Sequence, residues 1–88
     1  MNVRFSSRSW AEYVALRTEE PKLFDKLHAL IEECRRHPFK GTGKPEPLGG
    51  NLSGWCSRRI NQEHRLVYRV TGSGAEQELQ VAQCRYHY

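Results

Sequence analysis

Between Pro21 and Pro38 the apolar residues Leu23, Phe24, Leu27, Leu30, Ile31 and Cys34 recur at helical spacing, the strongest periodicity in the sequence. A helix with one apolar stripe must bury it against another layer, so this segment commits the chain to a packed architecture. Pro21 suits the first helical turn, where its missing N–H costs nothing. Arg35, Arg36 and His37 put cations at the negative end of the helix dipole, and Pro38 forbids continuation. His28, between Leu27 and Leu30, reads as a helix-flank residue rather than a ligand.

The other elements follow from pattern. Val3 and Phe5 alternate around Arg4 as a short first strand. Ser9 and Glu12 fit a capping box for an earlier helix, with Ser6 or Ser7 as alternative caps. That helix presents Trp10, Tyr13 and Val14 on one side and stops near residues 18–20. Residues 38–54 are punctuated by Pro38, Gly41, Gly43, Pro45, Pro47, Gly49, Gly50 and Gly54. An irregular stretch of that length inside a small domain is usually functional or disordered. Strand patterns occupy residues 55–60, 65–70 and 78–86, joined by a polar hairpin connection at 61–64 and a turn at 71–75. The order β–α–α–β–β–β predicts an α+β fold: one domain over residues 1–88, a small antiparallel sheet with both helices on one face. Alternation turns Leu66, Tyr68 and Val70 toward the helices and leaves Arg65, Val67 and Arg69 on the open face. The last strand is ambiguous. Small Ala82 and Cys84 fit under the helices, which would put Arg85 and His87 on the open face with Arg65.

Charge is unevenly distributed. The net charge is +4, but residues 35–72 carry eight bases against only Glu46 and Glu63. An Arg-rich middle of this kind suits a polyanion, because guanidinium forks match phosphate geometry and clustered charge focuses the local potential. A basic surface that serves only solubility is the competing reading. No apolar run approaches the ~20 residues of a membrane span, and no signal-peptide pattern follows Met1, which predicts a cytoplasmic protein without a membrane partner. Cys34, Cys56 and Cys84 form no C-x-x-C pair, so neither a disulfide framework nor a zinc ribbon is indicated. Buried, reduced cysteines are favoured over a mixed site with His64 or His87, and no metal or cofactor is expected.

If the polyanion is RNA, cleaving it without metal needs a base for the 2′-OH, a cation for the phosphorane charge and an acid for the departing 5′-oxygen. Glu46 in the Pro-flanked stretch, Arg65 on the central strand and His87 supply one group of each type. Spacing alone leaves each with a plain alternative: a surface carboxylate pairing Lys44, a solubilising strand arginine, and a frayed residue. Tyr86 and Tyr88 offer rings that can pack or stack on bases.

Longer motifs narrow the choice. Pro38-Phe39, Gly43-Lys44-Pro45-Glu46-Pro47-Leu48, Asn51-Leu52-Ser53-Gly54, Ser57-Arg58-Arg59-Ile60 and Glu63-His64-Arg65-Leu66-Val67-Tyr68 follow one another in order. With Ser9-Trp10, Tyr13 and the run Cys84-Arg85-Tyr86-His87-Tyr88, the chain closely resembles the YoeB (Txe/YoeB) toxins of the RelE/ParE superfamily. The resemblance implies a microbial-ribonuclease-like, RelE-like fold and a type II toxin: a ribosome-dependent, metal-independent endoribonuclease (an mRNA interferase) that cuts mRNA in the decoding site and stops translation. It implies as partners a YefM-like antitoxin, the 70S ribosome and mRNA, and leaves open a homodimer. By motif, Glu46 corresponds to the general base, Arg65 to the phosphate-stabilising cation, His87 to the general acid and Tyr88 to an aromatic that positions substrate. Lys44 and Arg59, and with them Arg69 and Arg85, are candidates for RNA or ribosome contacts. Two departures stand out: Gly49 and Gly50 replace a basic pair common in the family, and Trp55-Cys56 replaces its more usual aromatic pair. A non-catalytic ParE-like inhibitor and a plain RNA-binding module are the alternatives.

Overall fold

In a computed structural model, which describes residues 1–86, two helices cover one face of a five-stranded mixed sheet. The chain runs β1 (Asn2–Phe5), α1 (Ser7–Glu19), α2 (Pro21–Arg36), β2 (Glu46–Pro47), β3 (Cys56–Arg59), β4 (Arg65–Thr71) and β5 (Glu78–Gln83), and the strand order is β1-β5-β4-β3-β2. No helix is long and apolar enough to cross a membrane among the described residues.

Helix α2 matches its pattern: Pro21 lies in the first turn, and Leu27, Leu30, Ile31 and Cys34 are buried. Each such side chain contributes about 1.5–3 kcal/mol on leaving water. Helix α1 departs from its pattern. Of the offered caps it takes Ser6, whose Oγ accepts from the Ser9 N–H at 3.1 Å, so the helix begins three residues ahead of the Ser9–Glu12 box. Its inward residues are Ser9 and Leu16, while Trp10 and Val14 are exposed. Ser9 is the reason: its hydroxyl donates to the Val81 carbonyl at 2.7 Å, which draws the helix onto β5 through a small side chain. Trp10 instead packs its rim on Phe5, which also meets Tyr13. His28 sits on the flank of α2, with Nδ1 2.9 Å from the Tyr13 hydroxyl.

The sheet corrects the antiparallel expectation at one edge. β4 pairs antiparallel with β3 and β5, but β1 runs parallel to β5, Val3 opposite Leu79 and Phe5 opposite Val81. The α1–α2 crossover carries the chain over the sheet and makes that parallel pairing possible. A second correction concerns β5. Tyr68 pairs with Val81 but Val67 pairs with Gln83, so Ala82 is an extra, bulged residue. The bulge reverses the alternation, and Leu79, Val81 and Cys84 all reach the core with Leu66 and Tyr68. Strict alternation would have forced a choice between the two sets.

Candidate active site

The exposed loop between α2 and β3 is anchored from below by Arg58. Its guanidinium is fully buried. Nη1 donates to Glu33 Oε2 at 3.1 Å and to the Thr42 carbonyl at 3.2 Å, and Nη2 donates to the carbonyls of Lys40, at 2.9 Å, and His37. The Tyr68 hydroxyl donates to the Pro38 carbonyl and lies 3.4 Å from Arg58 Nε. Four carbonyls of residues 37–42 are therefore tied to the sheet by two side chains. Gly43 (φ 84) and Lys44 (φ 51) then turn the chain in the left-handed region, and the Gly43 carbonyl accepts from Arg59 N–H at 2.7 Å. This turn delivers Glu46 into β2. The residue the sequence places in a loop is thus in a two-residue edge strand, opposite Ser57.

That register fixes the neighbours of Glu46. Glu46, Ser57, Val67 and Gln83 form one row across β2, β3, β4 and β5, and Arg59 and Arg65 form the next row on the same face. Strand spacing puts the Cα atoms of Glu46 and Arg65 roughly 12 Å apart, within reach of one phosphodiester between two long side chains. Glu46 and Arg59 are exposed, whereas Val67, expected on the open face, is on that face but buried. Arg65 is held at the hairpin: Nη1 donates to the carbonyls of Asn61 at 2.6 Å and His64 at 3.0 Å. With one nitrogen committed to backbone, the plane of the guanidinium is set. Lys44 is exposed at the turn leading to β2, and Arg69 is exposed farther along β4 on the Arg65 face.

Beyond β5 the chain turns sharply at Tyr86, whose φ of 66 is in the left-handed region. Three hydrogen bonds hold this conformation. The Tyr86 N–H donates to Nδ1 of buried His64 at 2.8 Å, and the Tyr86 carbonyl accepts from Arg65 N–H at 3.1 Å and Gln83 Nε2 at 3.2 Å. Accepting at Nδ1 assigns a neutral His64 with its proton on Nε2, which faces Glu63 Oε2 at 3.5 Å and Glu20 Oε2 at 3.9 Å. His87 and Tyr88 lie outside the described residues. Arg85 corrects an expectation: it is drawn away from Arg65, its Nη2 pairing with Glu19 at 2.8 Å and Glu20 at 3.8 Å where α1 meets α2. That contact, led by the hydrogen bond to Glu19, raises the Arg85 pKa further.

Two positioning residues, Arg58 and His64, are absent from the sequence-based candidates. Arg58 shares parity with Cys56 and Ile60, which is the signal for an inward side chain. Among the described residues no group of three or more His, Cys, Asp or Glu stands together to hold a metal ion.

Residues 5–88 match the profile of the YoeB-like toxin of bacterial type II toxin-antitoxin systems. Toxin YoeB of Escherichia coli K12 is 48% identical over 88 residues, covering 100% of both chains. Among solved structures, the YoeB/ParE toxin from Agrobacterium tumefaciens superposes with a TM-score of 0.96 at 48% identity over 100% of both chains. The YoeB of a heterotetrameric YoeB-YefM toxin-antitoxin complex from Staphylococcus aureus superposes with a TM-score of 0.87 at 38% identity, covering 100% of this chain and 98% of that one.

Proposed function

Because this chain belongs to the YoeB family of toxins from bacterial type II toxin–antitoxin systems, we propose that it is a ribosome-dependent endoribonuclease that cuts mRNA in the decoding site. The observation that best supports this reading is the shared face of Glu46 and Arg65, on strands separated only by β3 and with Arg59 between them. In the proposed reaction the Glu46 carboxylate takes the proton of a 2′-OH and the 2′-oxygen attacks the adjacent phosphorus. Arg65 stabilises the charge of the phosphorane. His87 gives its proton to the departing 5′-oxygen, leaving a 2′,3′-cyclic phosphate and a 5′-hydroxyl. Tyr88 positions the substrate, and Lys44 and Arg59 contact RNA or ribosome. No metal enters any step.

The ribosome's contribution is proximity. A decoding-site mRNA held for in-line attack gains an advantage that can reach ~7–11 kcal/mol over free RNA. Regulation follows from the relatives: YoeB of Staphylococcus aureus forms a complex with YefM, and a YefM-like antitoxin is the partner proposed here. A YoeB dimer from the same organism supports self-association as well.

The test is expression of Glu46→Gln and His87→Gln alongside the wild type, with mRNA integrity and translation followed. Loss of a positioned acid or base typically costs ~10²–10⁴-fold in rate, so both variants should bind ribosomes and leave mRNA intact. Full toxicity in both would remove the assigned roles. A DNA-damage response with intact mRNA in the wild type would point instead to a non-catalytic, ParE-like inhibitor.

A further inference from the structure

On the open face, beside the Glu46–Arg65 rows, a third row runs Arg4, Gln80 and Arg69 across β1, β5 and β4, with Trp55 next in line just before β3. Arg69 is held in place by two neighbours in it. Its guanidinium carbon lies 4.4 Å from the centroid of the Trp55 ring, and its Nε donates to Gln80 Oε1 at 2.7 Å. Gln80 is oriented in turn by Glu78, its Nε2 donating at 2.8 Å, and Glu78 also pairs with Arg4 at 3.4 Å. Trp55 is fixed by its backbone, which donates to the Leu52 carbonyl and accepts from Leu48 N–H. A long side chain that served only solubility would gain nothing from being locked by two neighbours.

The locked guanidinium over Trp55 lines a groove of about 530 Å³ whose lining also includes Arg4, Arg8 and Gln80, the two exposed arginines each pairing through Nε alone, Arg4 with Glu78 and Arg8 with Glu12 at 3.1 Å. A flat cation on an aromatic ring is a platform on which an unpaired base stacks, and flanking arginines suit its phosphates. Along β4 the platform is four residues from Arg65, roughly 13 Å by strand rise, on the same face.

We propose that Trp55 and Arg69, flanked by Arg4 and Arg8, form a subsite for single-stranded RNA next to the scissile position. A base of the substrate strand stacks on the Arg69–Trp55 pair, and its neighbouring phosphates meet Arg4 and Arg8. The inference rests on the ribonuclease reading above and extends it to a substrate-holding site away from the acid and base.

The test measures the full chain against a short oligoribonucleotide carrying 2′-O-methyl groups throughout, which cannot be cleaved, over a range of salt concentrations. Arg69→Gln and Trp55→Leu should each weaken binding by about tenfold to a hundredfold, and Arg69→Gln should lower the salt slope by about one. On programmed ribosomes both should raise KM with kcat retained. The exposed pair Arg4→Gln with Arg8→Gln guards against misfolding of the Trp55 variant and should weaken binding with an unchanged melting curve. Unaltered affinity and KM in all three, with Glu46→Gln inactive, would overturn the subsite and leave the ribonuclease reading intact. Weaker RNA binding by the variants, with a wild type that cleaves no mRNA, would support the subsite and overturn the ribonuclease reading. Loss of binding to an acidic peptide, with RNA affinity unchanged, would overturn the subsite in favour of a protein partner.

Discussion

The buried ring of His64 accepts the Tyr86 N–H at 2.8 Å, so a histidine in the β3–β4 hairpin connection fixes the left-handed turn that leads the chain to residue 87. A bulky residue at positive φ is uncommon and persists where its surroundings over-determine it. His64→Leu leaves that N–H without its acceptor and should cost about 1–3 kcal/mol of stability in urea denaturation. If the turn sets the position of His87, mRNA cleavage should fall further than stability explains. Asn offers an oxygen near the place of Nδ1, so His64→Asn should recover part of both. Unchanged stability and cleavage in His64→Leu would show that the bond fixes nothing.

Arg58 is a stronger structural commitment. Its replacement by Met keeps the bulk but orphans the carbonyls of His37, Lys40 and Thr42 and leaves the Glu33 carboxylate with only its Thr42 contacts. Arg58→Met should destabilise by about 3 kcal/mol, and Arg58→Lys should fail to rescue, since an ammonium cannot reach partners spread across a fork. Thermal melts check both. Glu33 adds a pH signature: the Thr42 N–H, ahead of Arg58, holds its carboxyl below the usual range. Its contribution is present above the ordinary carboxylate pKa and is lost as pH falls through the depressed one. Glu33→Gln should therefore flatten the acid limb of the stability profile.

Alkaline pH should act through the thiols. Burial pushes Cys34 up to about 11 and Cys84 up to about 12. A raised native pKa means stability that is whole below the unfolded thiol value and is lost as pH rises through the native one. Unfolding free energy should drop as pH rises from 8 to 10.5, by about 2 kcal/mol per thiol at pH 10. Cys84→Ala should shallow that slope. A flat profile over this range would refute the burial account, as would rapid alkylation of Cys34 or Cys84 in the native protein.

Gly43 tests the delivery of Glu46. A Cβ there would stand 2.8 Å from the Arg59 carbonyl, at a φ of 84 that side chains rarely adopt. Gly43→Ala should cost about 1–3 kcal/mol and displace the β2 edge. The proposed mRNA cleavage should fall, while Gly49→Ala, with open space around it, leaves that cleavage and stability unchanged.

What could be read in advance was what repeats locally. Helix α2 and the β3–β4 hairpin announce themselves by period, and Pro21 and Pro38 bracket the helix. The rest depends on pairings that no window contains. β1 lies parallel to β5 because of a crossover, and one extra residue at Ala82 turns Cys84 inward. β2 has two residues, one of them proline, which is too few to show alternation. Arg58 misleads by charge, since its parity points inward while its type suggests the surface. Of the site, Glu46 and Arg65 were legible as residue types, and their shared face needed the register. Arg85 shows the converse: a base in a suggestive motif is occupied by Glu19 and Glu20.

The parallel β1–β5 pairing also sets a schedule. Asn2 must wait for Glu78, and at ~5–20 residues per second of synthesis that delay is roughly 4–15 s. Until then Leu66 and Tyr68 lack Leu79, Val81 and Cys84, with which they form the core. Helix α2 and the hairpin can assemble early, but the sheet that unites them closes only when its penultimate strand in space, β5, emerges last in time. For those seconds the nascent chain carries its helices and hairpin without a finished core, and its first strand without a neighbour.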